Sequence, residues 1–232
     1  MNVAGRPIQA VIFDFDGVIV ETEPLHHQSF CQIVEADGLA CDWPEYVRTY
    51  IGFDDRDLFR EAYRRAGQTL SEQRLQELVD AKAQAFIALT SAGVKHYEGV
   101  PEMIRRVAAR FPVAICSGAL RSDIDPLLTH LELSSIFPIR VTAEDVSASK
   151  PDPACYSLAV ERVAAALSVE LAPASCLAIE DTPTGIQAAV DAGLQAWAVT
   201  HTHPRDELVS ADRIFDSLPE IGRALEDANE PT

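Results

Sequence analysis

Two aspartates that end an apolar run are the first candidates for chemistry in this chain. Asp14 and Asp16 follow Ala10-Val-Ile-Phe13, and Gly17 comes next. Because side chains alternate along a strand, both carboxylates point to the same side where the strand ends. Two carboxylates leaving a buried strand are costly unless a cation or hydrogen-bond donors receive them. A solvated turn is the alternative, but the apolar residues on both sides of the pair weaken it.

A second pair of acids ends another apolar run. Glu180 and Asp181 are followed by Thr-Pro-Thr-Gly185. If the two pairs meet, they supply a group of hard oxygen ligands, which is the kind of site that Mg²⁺ prefers. Alone, Asp181 could instead cap a helix that has Pro183 in its first turn. The sequence therefore predicts a magnesium site where the two strand ends are adjacent.

Two further segments could hold an anion. Ser117 and Gly118 follow an apolar run, and a hydroxyl with free backbone N–H groups before a helix can bind a phosphate. Lys150 lies beside Pro151, with Pro153 close behind, and the two prolines restrict where the lysine points. Taken singly, a simple turn and an exposed lysine are the more ordinary interpretations of these segments.

The elements that must position these residues follow from the apolar pattern. Buried parallel strands are predicted at residues 10–15, 113–116, 139–142, 176–179 and 196–200. Helices are predicted between them at residues 101–110, 122–131, 153–167 and 183–192. This alternation indicates a parallel sheet covered on both faces, the Rossmann-like form of the α/β class.

The segment after the first strand has a different pattern, with no convincing strand. Helices are predicted there at residues 24–37, 44–51, 54–66 and 71–91. We therefore expect a core at residues 1–20 and 97–232 and a small all-helical cap, inserted after the first strand, at residues 21–96. An insert at the carboxyl end of a strand would lie over the ligand site like a lid.

Composition narrows the class of protein. The chain has 232 residues, with 36 acids against 19 bases and a net charge of −17. Such a negative surface argues against nucleic-acid and membrane partners. No apolar run approaches the length of a membrane span, and residues 1–6 lack the pattern of a signal peptide. We expect a cytoplasmic protein that is a monomer or a small homo-oligomer.

The cysteines support the same location. There are five, scattered along the chain: Cys31, Cys41, Cys116, Cys155 and Cys176. They are odd in number and no two have the Cys-x-x-Cys spacing, so we expect reduced thiols, without a disulfide framework or a zinc site.

Taken in their order along the chain, these four segments together resemble the motifs of the haloacid dehalogenase superfamily of phosphotransferases. Asp14-Phe-Asp16-Gly-Val resembles its first motif and Ser117 its second, while Lys150 resembles the third and Glu180-Asp181 the fourth. The resemblance spans almost the whole chain. Residues 21–26 (Glu-Thr-Glu-Pro-Leu-His) and the helical insert are similar to the subgroup that contains β-phosphoglucomutase and the sugar-phosphate and phosphoglycolate phosphatases.

The resemblance implies catalytic roles that fit the chemistry of phosphoryl transfer. Asp14 would be the nucleophile, since a carboxylate is ionised at neutral pH, and it would form an aspartyl-phosphate. Asp16 would give a proton to the leaving alcohol and then take one from water. Ser117, the Gly118 N–H and Lys150 would hold the phosphoryl oxygens.

The resemblance also implies Mg²⁺ as the cofactor. The ion would be held by Asp14, the main-chain carbonyl of Asp16 and Asp181, with Glu180 acting directly or through a bound water. The presence of an acid at position 16 also bears on the type of reaction. Members of the superfamily that remove halide lack an acid two residues after the nucleophile. Its presence favours phosphate chemistry over dehalogenation.

Three cap residues are candidates for contact with the substrate. His26 matches a histidine shared by mutases and phosphatases of the subgroup, and Lys82 matches a cap lysine, although it could instead extend to solvent. In the mutase an arginine of the loop near residues 50–56 receives a second phosphate. Here Asp55 falls at that position and Arg56 one place later, which favours a plain phosphatase.

We therefore expect a Mg²⁺-dependent phosphatase that acts on a small phosphorylated metabolite, of the sugar-phosphate or phosphoglycolate type, through an aspartyl-phosphate. One alternative is a phosphosugar mutase similar to β-phosphoglucomutase. The other is a catalytically silent binding protein on the same scaffold, which the intact set of Asp14, Asp16, Lys150 and Asp181 disfavours.

Overall fold

A parallel six-stranded sheet organises the computed structural model, which describes residues 7–91 and 93–227. The strands are β1 (Ala10–Phe13), β2 (Val113–Cys116), β3 (Ile139–Val141), β4 (Cys176–Glu180), β5 (Gln195–Val199) and β6 (Arg213–Phe215). Their order is β3-β2-β1-β4-β5-β6, so β1 lies at the centre between β2 and β4. Phe13 is in register with Ile115 and Ile179, and the carboxyl ends of these three strands therefore lie at one edge.

Helices connect the strands and cover the sheet. They are α1 (Glu23–Val34), α2 (Trp43–Thr49), α3 (Asp55–Arg65), α4 (Glu72–Thr90), α5 (Val100–Ala108), α6 (Arg121–His130), α7 (Ala154–Leu167), α8 (Pro183–Asp191) and α9 (Leu218–Asp227). The predicted helix at residues 24–37 ends as an α-helix at Val34 and continues as a 3₁₀ turn, Glu35–Asp37. None of the described helices is both long and apolar enough to span a membrane.

Two apolar clusters bury both faces of the sheet. Val11 and Phe13 of β1 face α5, α6 and α9, while Ala10 and Ile12 face α7 and α8. All four β1 residues are fully buried. Burial on both faces explains why these strands are continuous apolar runs, since each large apolar side chain contributes about 1.5–3 kcal/mol. The predicted α/β class with a Rossmann-like parallel sheet is confirmed.

Helices α1 to α4 share a separate apolar cluster, which includes Phe30, Tyr46, Phe59 and Leu78. No named strand lies among the described residues between β1 and α5. The predicted division into a core at 1–20 and 97–232 and a cap at 21–96 stays a prediction. Its residues 1–6, 92 and 228–232 lie outside the described residues.

The cysteine prediction is wrong for one pair. Cys116, the last residue of β2, forms a disulfide with Cys155 in the first turn of α7. The two are 39 residues apart, and they meet because α7 packs against β2 and β3, a contact that spacing along the chain does not reveal. Cys31, Cys41 and Cys176 are free thiols, as expected.

Candidate active site

The residues of the four sequence motifs meet at the carboxyl edge of the central strands. The N–H of Asp14 donates to the carbonyl of Ile179 at 2.9 Å, and the N–H of Ser117 donates to the carbonyl of Val141 at 3.0 Å. These bonds extend the strand ladders by one residue, so the side chains that follow β1, β2 and β4 emerge together. Asp14, Ser117 and Lys150 line one cavity there, together with Asp16.

Lys150 is the buried cation of this edge. Its Nζ donates to Asp14 Oδ1 and to Glu180 Oε1, both at 2.7 Å, and to the carbonyl of Cys116 at 3.1 Å. Burial lowers the pKa of Lys150, but the two carboxylates raise it by more, so the net shift is upward. Lys150 therefore stays an ammonium. It is only 5% exposed, which contradicts the interpretation of it as an exposed lysine in a turn.

Three buried acids form a group next to Lys150. One oxygen each of Asp14, Glu180 and Asp181 lies within 4.8 Å of the others. Burial, and repulsion between the carboxylates, raise the pKa values of Asp14 and Asp181 well above the usual range, although Lys150 opposes the shift at Asp14. Among the described residues, Asp181 Oδ1 is buried without a hydrogen-bond partner. A buried set of hard oxygens with an unsatisfied atom fits a divalent cation.

Glu180 is engaged differently from the other two acids. Its Oε1 accepts hydrogen bonds from Lys150 and, at 2.6 Å, from the hydroxyl of Tyr156, and its Oε2 accepts from Thr182 at 3.3 Å. The absence of a side chain at Gly185 makes space for the Glu180 carboxylate, because a Cβ at position 185 would overlap it. Glu180 therefore fixes Lys150, while Asp14 and Asp181 offer the freer oxygens to a cation.

The carboxylate of Asp16 faces the helical segment. It accepts from the hydroxyl of Thr22 and from His26 Nε2 at 3.2 Å. His26 Nδ1 in turn lies 3.1 Å from Lys82 Nζ. Because an ammonium can only donate, Nδ1 accepts and the ring proton on Nε2 points to Asp16. Burial raises the pKa of Asp16, but His26 and Thr22 lower it by more, so the net shift is downward.

Lys82 extends the same chain of polar contacts. Its Nζ pairs with Asp55 Oδ1 at 2.5 Å, and its side chain is only 1% exposed. The alternative in which Lys82 extends to solvent is therefore wrong. Lys82, His26 and Asp55 all line the cavity that holds Asp14.

Arg56 lies outside this cavity. Its guanidinium donates to Asp54 at 2.6 Å and to the carbonyls of Ala143 and Val146 at 3.0 and 3.2 Å. The arginine thus connects the start of α3 to the loop after β3, and Asp55 faces the cavity in its place.

Several cavity or site residues were not predicted from the sequence. Glu23 lies three residues before His26, hence on the same face of α1, and this spacing was a usable signal. Tyr46 also lines the cavity, while Tyr156 and Thr202 bind Glu180 and Asp181. These three contacts depend on packing between distant parts of the chain, and no local pattern marks them.

Known proteins show the same combination of sequence and fold. Residues 11–199 match the sequence model of the haloacid dehalogenase-like hydrolase family. Protein CbbY of Rhodobacter capsulatus is 30% identical over 216 residues, which cover 88% of this chain and 91% of the relative. Validoxylamine A 7'-phosphate phosphatase of Streptomyces hygroscopicus subsp. limoneus is 27% identical and covers 92% and 95%.

A solved structure has a similar fold over almost the whole chain. CbbY of Rhodobacter sphaeroides, crystallised in complex with phosphate, superposes with a TM-score of 0.81 at 26% identity, covering 95% of this chain and 99% of that one. The family match spans more than half of the chain and includes Asp14, Asp16, Lys150 and Asp181. With the four motifs at one sheet edge and this match, the chain belongs to the haloacid dehalogenase-like hydrolases.

Proposed function

We propose that this enzyme is a Mg²⁺-dependent phosphatase that hydrolyses a small phosphate monoester, a sugar phosphate or phosphoglycolate, through an aspartyl-phosphate. One observation carries the proposal. The Asp14 carboxylate is held at the sheet edge by Lys150 at 2.7 Å and opens into a cavity that Asp16 and Ser117 also line. This arrangement supports the assignment of Asp14 as nucleophile, Asp16 as proton carrier and Ser117 as an anion donor.

Asp14 would attack the phosphorus, and the bond from phosphorus to the ester oxygen would break. The leaving oxygen takes the proton of Asp16, so that a neutral alcohol departs. Lys150 fixes one Asp14 oxygen and leaves the other for the new bond, while Ser117 and the Gly118 N–H hold the phosphoryl oxygens.

Water completes the cycle. It attacks the phosphorus of the aspartyl-phosphate and gives its proton to Asp16, which releases phosphate and the Asp14 carboxylate. The hydrogen bonds from Thr22 and His26 hold Asp16 in the ionised form that this second step needs. Binding of an anionic phosphate next to Asp16 favours the protonated form that the first step needs.

The acids beside the nucleophile would hold the cation. Asp14, Asp181 and the main-chain carbonyl of Asp16 would bind Mg²⁺, with Glu180 placed behind them by Lys150 and Tyr156. When bound, the ion offsets the repulsion between an anionic nucleophile and an anionic substrate. The unsatisfied Asp181 Oδ1 among the described residues supports this assignment.

The relatives support a phosphorylated substrate. Validoxylamine A 7'-phosphate phosphatase is named for the removal of a phosphate, and CbbY was crystallised with phosphate bound. Neither name identifies the substrate of this chain. The cytoplasmic location and the monomer or small homo-oligomer stay predictions.

A phosphate-release screen tests the proposed function. The purified enzyme with Mg²⁺ is given sugar phosphates, phosphoglycolate and nucleotides, and inorganic phosphate is measured. We expect turnover of at least one monoester, and a loss of more than about a thousandfold for Asp14→Asn and after addition of a chelator. Circular dichroism should show an unchanged fold in Asp14→Asn. Turnover that survives in this variant would contradict the assignment of the nucleophile.

A mutase would behave differently in one respect. It would convert β-glucose 1-phosphate to glucose 6-phosphate with little release of phosphate, which a coupled assay detects. Absence of any turnover across the whole screen would instead favour the silent binding protein.

A further inference from the structure

The side of the cavity that the helical segment forms carries an excess of acids. Glu23 of α1 and Asp55 of α3 line it, together with His26, Tyr46 and Lys82. We call these five residues the distal end. Glu23 accepts a hydrogen bond from the Tyr46 hydroxyl at 3.5 Å and has no cation bound to it among the described contacts. The distal end therefore contains two carboxylates and one lysine.

That lysine is already neutralised. Lys82 Nζ lies 2.5 Å from Asp55 Oδ1 and 3.1 Å from His26 Nδ1, and its side chain is 1% exposed. A buried ion pair of this kind has little charge left for a ligand, and breaking it would leave a buried charge unpaired. Arg56 cannot take its place, since its guanidinium is bound to Asp54 and to two carbonyls outside the cavity.

A further buried acid lies within electrostatic range of the distal end. Asp123 of α6 is 4% exposed, and His26, Asp55 and Lys82 are among the charges that act on it. Burial and the neighbouring acids raise its pKa to about 6, and burial raises the pKa of Glu23 to about 7. Both carboxyls are therefore partly protonated near neutral pH and supply only part of a negative charge. What mainly disfavours a second anionic group of a ligand is that neither Lys82 nor Arg56 is free to pair with it.

We propose that the distal end makes this enzyme selective for monophosphates whose leaving group is neutral or cationic. This inference rests on the proposed function. Hydroxyl or ammonium groups can donate to Glu23 and Asp55, whereas a second phosphate or a carboxylate would face them without a free cation. Specificity here comes from repulsion of the wrong substrate as well as from attraction of the right one. Sugar and amino-sugar monophosphates are therefore the substrate class, and phosphoglycolate and sugar bisphosphates are disfavoured.

Four compounds with the same six-carbon chain and a phosphate on carbon 6 test this inference. Glucose 6-phosphate is neutral at the far end, glucosamine 6-phosphate is cationic, and 6-phosphogluconate and glucose 1,6-bisphosphate are anionic. We expect kcat/KM for both anionic compounds to be at least about tenfold below that for glucose 6-phosphate, with glucosamine 6-phosphate as good or better. Equal values for the neutral and the anionic compounds would overturn the inference.

Variants assign the selectivity to one residue. Asp55→Asn removes one acid and leaves Lys82 free to meet an anion, so the ratio of anionic to neutral kcat/KM should rise by about tenfold or more. Asp206→Asn makes the same change of charge at an exposed position after β5, outside the cavity, and should leave the ratio as it is. An unchanged ratio in Asp55→Asn would contradict the role of this residue.

A binding experiment separates this inference from the proposed function. The Asp14→Asn protein is titrated with the four compounds in the presence of Mg²⁺, and Kd is measured by calorimetry. The same order of affinities, neutral or cationic above anionic, is expected even though this variant does not turn over substrate. If the wild type releases no phosphate but the order of affinities holds, the proposed function fails alone. If phosphate is released but the order is absent, only the selectivity fails.

Discussion

Lys150 is the residue on which the charge balance of the site depends. It is 5% exposed and lies 2.7 Å from both Asp14 and Glu180. Removing one partner of such a buried group costs about 3–5 kcal/mol, because the charges left behind have no compensation. Lys150 therefore stabilises the fold locally and also holds the carboxylate that we assign as nucleophile.

The buried carboxyl of Glu23 should make the free energy of unfolding depend on pH. Burial raises its pKa to about 7 from the ordinary value of 4.5, against the opposing effect of His26. Between about pH 4.5 and pH 7, the folded protein keeps a proton on Glu23 that the unfolded chain has already released. The stability that this proton contributes is therefore lost as pH rises through that window. Glu23→Gln removes the effect, and in metal-free buffer the variant should gain about 2 kcal/mol relative to wild type between pH 5 and pH 8.

Urea unfolding at the two pH values measures this gain. Glu170→Gln, at an exposed position, is the matched control and should follow the wild type. A Glu23→Gln protein whose stability changes with pH just as the wild type does would contradict a buried, partly protonated Glu23.

At the scale of elements, the site depends on tight turns between strand ends and helices. β4 ends at Glu180, and α8 begins three residues later at Pro183, with Thr182 capping the helix by accepting from the Gly185 N–H at 3.1 Å. Gly17, with a φ of +74°, lies against Asp181 in the same way that Gly185 lies against Glu180. Both glycines leave space for a carboxylate of the site.

Gly185→Ala tests this close approach. Alanine in place of glycine within a helix ordinarily stabilises by about 1 kcal/mol. Here the new Cβ would overlap the Glu180 carboxylate, so we expect a loss of about 1–3 kcal/mol and a fall in phosphatase activity. Gln187→Ala, at an exposed position of α8, controls for helix propensity. A Gly185→Ala protein of increased stability and full activity would show that the Glu180 position has been misassigned.

Arg56 tests the link between α3 and the loop after β3. Arg56→Ala removes its hydrogen bonds to the carbonyls of Ala143 and Val146 and to Asp54, which should lower the free energy of unfolding by about 1–2 kcal/mol. Since Arg56 lies outside the cavity, the order of preference among substrates should not change. A changed order, measured as kcat/KM ratios, would mean that Arg56 contacts the substrate.

The elements show which features the sequence determines locally. β1, β2, β4 and β5 were predicted within two residues, because burial on both faces makes each an unbroken apolar run. β6 was missed, since Arg213 is exposed and only Phe215 of that three-residue strand is buried. The final helix, α9, was missed as well. Most motif residues of the site could be predicted because they lie at the end of such an apolar run, and Lys150 because two prolines follow it closely. Tyr156, Thr202 and the Cys116–Cys155 pair depend instead on contacts between distant segments.

At the scale of the whole molecule, the cavity joins the sheet edge to the helical segment. Asp16, Ser117 and Lys150 come from the sheet side, and His26, Asp55 and Lys82 from the helices. A chain of polar contacts connects the two functions that we propose for this cavity. It begins at Asp16, the proton carrier, and passes through His26 and Lys82. It ends at Asp55, in the part of the cavity that we propose selects the leaving group. Side chains from both sides thus line one site.

Cation binding should stabilise the whole molecule. A ligand that binds only the folded state adds about 2.7 kcal/mol at 100 times its Kd, which raises Tm by about 5 °C or more for a chain of this size. We expect Mg²⁺ to produce this rise in a thermal scan of the wild type. Asp181→Asn should lose most of it, while Asp206→Asn, at an exposed position, should keep it. Equal rises in all three proteins would place the cation elsewhere.

The central claim, that Asp14 carries the phosphoryl group, is tested most directly by trapping the phosphorylated enzyme. Asp16→Asn removes the group that takes the proton of water, so the intermediate should accumulate when this variant is mixed with radiolabelled p-nitrophenyl phosphate, whose leaving group needs no proton from Asp16, and quenched in acid. Peptide mass spectrometry should then find one phosphoryl group on Asp14, and none on the same peptide when Asp14→Asn is combined with Asp16→Asn. Label on another residue, or turnover by the wild type with no phosphorylated enzyme in either protein, would contradict the account.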